Sequence, residues 1–127
     1  FTSTADSCVI TDVVSAKYRY IVPDCVTEIG NRAFDGCFFR RIDVSEGVKT
    51  IGSYAFAYNT SLNKVVLPSS ITKISKGIFQ YCDTDTITIE YNGTMQTWSA
   101  IIEQNESWDN MYNGTIKVIC TNGTITY

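Results

Sequence analysis

Apolar positions along this chain recur at two nested intervals. Over a few residues they alternate with polar ones, and whole blocks of them return every 22 or 23 residues. Setting AFDGC (33–37), AFAYN (55–59) and IFQYC (78–82) on their phenylalanines brings Val26, Val48 and Ile71 into register. Ile29, Ile51 and Ile74 come next, then Ala33, Ala55 and Ile78, then Phe34, Phe56 and Phe79. Cys37, Asn59 and Cys82 follow two residues after the phenylalanine-plus-one position. Ile42, Val65 and Ile87 align after them, and Val44, Leu67 and Ile89 close the unit. Gly30 and Gly52 share a position with Ser75, and Tyr20, Val22 and Pro23 read as the tail of an earlier unit.

Each alternating segment predicts a short strand with one buried face. The Val-x-x-Ile segments are too short for a helix and predict a turn onto the opposite side. One such unit cannot bury its own apolar edge. Stacked units share a continuous core, with rungs about 4.8 Å apart. Residues 91–127 break the period. There Thr94 is a candidate N-cap for a helix whose apolar face carries Trp98, Ile101, Ile102 and Met95. Trp108 and Met111 are expected to add to its cover. TIKVIC-TNG-TITY predicts a hairpin turning at Asn122-Gly123. The organisation expected is one structural domain: residues 1–19 a cap or partial repeat, 20–90 repeats, and 91–127 a helix-then-hairpin cap. At the N-terminal end, CVITDVVSAKYRYIV is read as a strand pair covering the first rung.

Leu62-x-x-Val65-x-Leu67-Pro-Ser-Ser-Ile71 and Phe39-x-x-Ile42-x-Val44-Ser-Glu-Gly-Val48 fit the leucine-rich-repeat consensus, and the period lies in its range. The full pattern, I-G-x-x-A-F-x-x-C-x-x-F/L-x-x-I-x-I/L-P, resembles the BspA-like leucine-rich repeat family over about residues 20–90. The third unit departs, with Ser75 for Gly, Ile78 for Ala and Thr84 for the apolar residue. The expected fold is a mostly β solenoid, a right-handed superhelix of about 3–4 repeats. The resemblance implies a secreted or cell-surface protein of bacteria, or of a protist relative, that attaches to host molecules without catalysis. Such proteins are usually larger, and the chain, which lacks an initiator Met, reads as part of one.

Cys37, Asn59 and Cys82 stand where the coil turns inward. Buried backbone groups there need partners, which a small donor side chain supplies in every rung. They are therefore read as a structural ladder beside a core of Phe34, Phe56 and Phe79. Cys37 and Cys82 lie two rungs apart, beyond the roughly 7 Å reach of a disulfide. Cys8 and Cys25 are the one pair considered for a bridge, since five cysteines leave at least one unpaired. There is no His and no C-x-x-C, so neither a zinc site nor a Ser-His-Asp arrangement is expected, and no cofactor. Net charge is −3 without a basic run, which argues against nucleic acid. No apolar run approaches the roughly 20 residues of a membrane-spanning helix. The Asn-x-Ser/Thr triplets at Asn59, Asn92, Asn105, Asn113 and Asn122 read first as turn chemistry.

The outward strand residues are the candidate recognition surface: Arg19 and Ile21, Arg41 and Asp43, Lys64 and Val66, Thr86 and Thr88. Stacking sets Arg19, Arg41 and Lys64 in one column, beside a column of Ile21, Asp43, Val66 and Thr88. One reading is a solvated face; the other is a strip for an acidic or sulfated partner. Tyr54, Tyr58 and Tyr81, on the loop side, are a second candidate, with Tyr58 and Tyr81 in equivalent positions. The function expected is recognition of a host or matrix protein or glycan outside the cell. The alternative is an architectural segment of a longer stalk with no ligand of its own.

Overall fold

The computed structural model describes residues 2–3, 8–10 and 18–127. The chain winds for about three turns, each placing one strand in each of two sheets. The first sheet holds β1 (Thr2–Ser3), β2 (Cys8–Ile10), β4 (Val26–Ile29), β6 (Thr50–Ile51) and β8 (Lys73–Ile74), in that spatial order. The second runs β11 (Gly123–Thr126), β10 (Thr115–Cys120), β9 (Thr86–Tyr91), β7 (Lys64–Leu67), β5 (Arg41–Asp43) and β3 (Arg19–Ile21). All strands are parallel to their neighbours except β1 and β11, which turn back on β2 and β10. The strands within CVITDVVSAKYRYIV do not pair with each other as expected: β2 joins one sheet and β3 the other. The side chain of Cys8 lies outside the described residues, and Cys25 is an exposed thiol.

Between the sheets lie the residues that the periodicity aligns. Val26, Val48 and Ile71 are buried, as are Ile29, Ile51 and Ile74 and the alanines at 33 and 55. Phe34, Phe56 and Phe79 stack along the axis, with centroids 5.5 and 5.8 Å apart and planes 23° and 27° from parallel. Tyr20 meets the column edge-on at 5.5 Å from Phe34, and Tyr112 closes it at 6.2 Å from Phe79. Gly77 takes φ +58°, and a Cβ there would come within 2.7 Å of the Tyr54 ring, so this position excludes any larger residue.

The helix α1 (Met95–Ile102) starts at Thr94, whose hydroxyl accepts from the Thr97 N–H at 3.2 Å. Trp98 and Ile101 are buried under it, and Trp108 packs edge-on against Trp98 at 5.6 Å. Met111 does not join this cover: it is exposed, at φ +65°. The hairpin also turns one residue earlier than expected. Cys120 pairs with Gly123, so Thr121 and Asn122 form the loop and Gly123 begins the strand. Asn122 is thereby freed to serve the helix, accepting from the Met95 N–H at 2.8 Å and donating to the Gln96 side chain at 2.9 Å.

The segment 105–120 does more than cover an end. Gly77, Ile78 and Tyr81 donate their N–H groups to the carbonyls of Ser107, Trp108 and Met111, and β10 extends the parallel ladder beyond β9. A further coil is built here without the repeat's sequence. Phe56 is fully buried between two rings, so Phe56→Ala is expected to cost about 3–5 kcal/mol. A denaturant midpoint that scarcely moves in that variant would show that the column does not carry the core.

Candidate recognition surface

The inward turn sets the geometry of everything outside it. Asn59 is fully buried and donates from Nδ2 to the carbonyls of Phe34 (2.8 Å), Phe56 (2.8 Å) and Ala57 (3.2 Å). Cys82 donates from Sγ to the Phe56 carbonyl at 3.1 Å. Each thus reaches back to the phenylalanine carbonyl of the preceding rung. Burial pushes the Cys82 thiol up to about 11, which keeps it protonated as a donor. Cys37, the first member, is buried. Other positions repeat the device: Ser70 donates to the Val48 carbonyl at 2.7 Å and Thr84, in place of the apolar residue, to Leu62 at 2.8 Å.

With the rungs locked, the outward residues of β3, β5, β7, β9 and β10 form a continuous face. The register departs from the sequence alignment at β9. Val65 pairs with Ile89 and Leu67 with Tyr91, so Lys64 stands beside Thr88, while Thr86 pairs with Thr115. A slip of two residues keeps the same side chains inward, so alternation alone does not distinguish the two registers. The first column is therefore Arg19, Arg41, Lys64, Thr88 and Lys117. The second is Ile21, Asp43, Val66, Glu90 and Ile119.

The corrected register adds Glu90 to Asp43, the carboxylate already expected beside the cations. Asp43 accepts from Arg19 at 2.5 Å and from Arg41 at 2.6 Å, and Glu90 pairs with Lys64 at 2.5 Å. The like-charged column is thereby offset from the neighbouring one. Burial alone would raise the pKa of Asp43, but the hydrogen bonds and charges of Arg41 and Arg19 outweigh it and hold the carboxyl below its ordinary value. Lys117 makes no ion pair among the described residues. Sequence reasoning missed Glu90, Lys117 and Ile119 as part of this face. The alternation of TIKVIC marks the strand, but nothing local says that it joins the parallel ladder.

On the loop side Tyr58 and Tyr81 touch, with centroids 5.2 Å apart and planes 50° apart, each about half exposed. Both hold left-handed backbone, φ +55° and +54°, where the rung before them has Gly36. Tyr54 sits beneath the Arg32 guanidinium at 4.5 Å and the Lys76 ammonium at 5.7 Å. Among the described residues no His, Cys, Asp or Glu group is placed to hold a metal ion, and no helix is long and apolar enough to cross a membrane.

Parallel rungs wound on a phenylalanine column, with buried side chains tying each turn to the one before, define a leucine-rich-repeat solenoid. A family model described as a BspA type leucine rich repeat region (6 copies) matches residues 17–102. The chain belongs to the BspA-type leucine-rich repeat family. Among solved structures it is similar to a leucine rich cell surface protein from Faecalibacterium prausnitzii A2-165, at 19% identity and a TM-score of 0.41. That match covers 78% of this chain and 39% of the other, so this chain spans well under half of that protein's length. No curated protein matches the sequence.

Replacing Asn59 by Ala strips donors from buried carbonyls and is expected to cost about 1–3 kcal/mol. Asn59→Cys keeps one donor, as Cys82 does, and should cost less; equal losses in urea melts would reject the ladder. Asp43→Asn leaves two guanidiniums side by side, with an expected loss of about 1 kcal/mol at neutral pH. Because the folded carboxyl is more acidic than the unfolded one, its stabilisation holds above the unfolded value near ~4 and fades as pH falls through the folded value. Wild type and variant should therefore converge in strong acid. A difference that persists there would remove charge as the cause.

Proposed function

We propose that this chain is a non-catalytic recognition module at the cell surface or outside it, binding a host or matrix protein across the outward face of the larger sheet. The supporting observation is the composition of that face after pairing. Half-exposed Val66 and exposed Ile21 and Ile119 alternate with Asp43 and Glu90, and three of the four cations already hold a carboxylate. A polyanion such as a sulfated glycan would have to compete for Arg19, Arg41 and Lys64 and would find Lys117 alone unengaged. A protein surface gains from the apolar positions and matches mixed charge. Membership of the BspA-type leucine-rich repeat family agrees with this reading.

The test is a screen of the whole chain against immobilised matrix proteins and sulfated glycans, with Ile21→Ser and Lys117→Glu variants shown to be folded. A protein ligand weakened about tenfold by Ile21→Ser and little by Lys117→Glu is the expected result. Binding only to sulfated glycans, abolished by Lys117→Glu, would replace the partner class. Binding lost only in Tyr58→Ser/Tyr81→Ser would move the surface to the loop side. No ligand at all would favour an architectural role.

A further inference from the structure

Where β5, β7, β9 and β10 end, the outward face dips into a groove of about 470 Å³. That volume falls in the range of roughly 300–1,000 Å³ typical of ligand sites. Val66 and Ile119 give it apolar surface, with Val44 and Leu67 buried beneath, and its charged lining residues are Glu46 and Glu90, with no Lys or Arg among them. Glu90 is fixed by the ladder between Val66 and Ile119. Glu46 comes from the loop after β5 and is held toward the end of β9 by the Asn92 amide at 3.4 Å. Lys64 engages Oε1 of Glu90, whereas Glu46 has no cation among the described residues.

We infer that this groove seats a lysine side chain of the protein partner, its aliphatic stem on Val66 and Ile119 and its ammonium toward Glu46 and Glu90. The argument is charge and shape together. An apolar side chain would fill the walls but desolvate the carboxylates without return. An acidic or sulfated group would meet the uncompensated charge of Glu46 and compete with Glu90 for Lys64. Lysine supplies a long apolar stem and a cationic tip, and habitually buries the first while keeping the second beside polar groups. The inference rests on the sheet-face reading for the identity of the partner as a protein, and on the groove alone for the chemistry of the contact.

The probe is N-acetyl-lysine-methylamide titrated into the whole chain, followed by methyl NMR shifts of Val44, Val66 and Ile119. Its controls are the norleucine and glutamate analogues. Saturable shifts are expected with lysine, with norleucine about three- to fivefold weaker and glutamate inert. Glu46→Gln, which keeps the contact to Asn92, should reduce lysine binding to the norleucine level, and raised salt should do the same. Ile119→Ser should weaken both lysine and norleucine. Equal binding of lysine and norleucine, or no shift with lysine, overturns the proposal. A protein ligand found in the screen, sensitive to Ile21→Ser but not to Glu46→Gln, would also overturn it while leaving the sheet-face reading intact. Lysine binding in the groove with no macromolecular ligand would support the groove and remove that reading.

Discussion

A coil of this solenoid closes only by turning its backbone inward past the phenylalanine column, and the carbonyls at that turn lie where water does not reach. Their partners have to come from the chain itself. Asn59 serves three of them at once, and Cys82 serves the Phe56 carbonyl with a weaker donor. Asn59 and Cys82 each send a bond to the rung before, to Phe34 and Phe56, so satisfying a turn also fixes the stacking of two coils. Ring stacking of Phe34, Phe56 and Phe79 and the parallel ladder outside both inherit that alignment. The sheet face is therefore a consequence of an interior constraint, and its side chains are held at rung spacing without any contact among themselves being required.

The period, the inward residues and the turn device were all legible in the sequence, because each is local or repeats at a fixed step. The phenylalanines, the aligned valines and isoleucines, and the Cys/Asn position needed no more than counting. The register of β9 was not legible. Ile87, Ile89 and Tyr91 all face inward, so two alignments bury equally apolar residues, and the choice lies with the length of the connection after Phe79. The steps from each phenylalanine to its paired strand residue grow along the chain: Phe34 to Ile42, Phe56 to Val65, Phe79 to Ile89. A constant period hides that drift.

The same slip decided how the surface was read. With Thr88 opposite Val66, Asp43 still serves Arg19 and Arg41 but Lys64 has no carboxylate beside it. With Glu90 there, Lys64 acquires a carboxylate. The coil built by residues 105–120 escaped notice for a different reason. It lacks the repeat's sequence because α1 stands where the next first-sheet strand, after β8, would lie, and Trp108 and Tyr112 replace the smaller core residues. The backbone still stacks, since the hydrogen bonds from Gly77, Ile78 and Tyr81 accept any residue that supplies a carbonyl in the right place.

Charge on this face has two uses that pull in different directions. Ion pairs between neighbouring columns relieve the repulsion that identical rungs would otherwise build up, since a repeat that copies a cation copies it at rung distance. Pairing also removes those cations from the pool a partner can use. On the proposed reading, what then remains for a partner is whatever breaks the alternation: the apolar outward residues, Lys117 at one end, and the carboxylates that gather where the strands finish. If this face is the recognition surface we propose, its specificity falls at the departures from its own repeat. Here the departures cluster toward the C-terminal coils, where β9 and β10 introduce Glu90, Lys117 and Ile119 on a face that the earlier rungs have made electrically quiet.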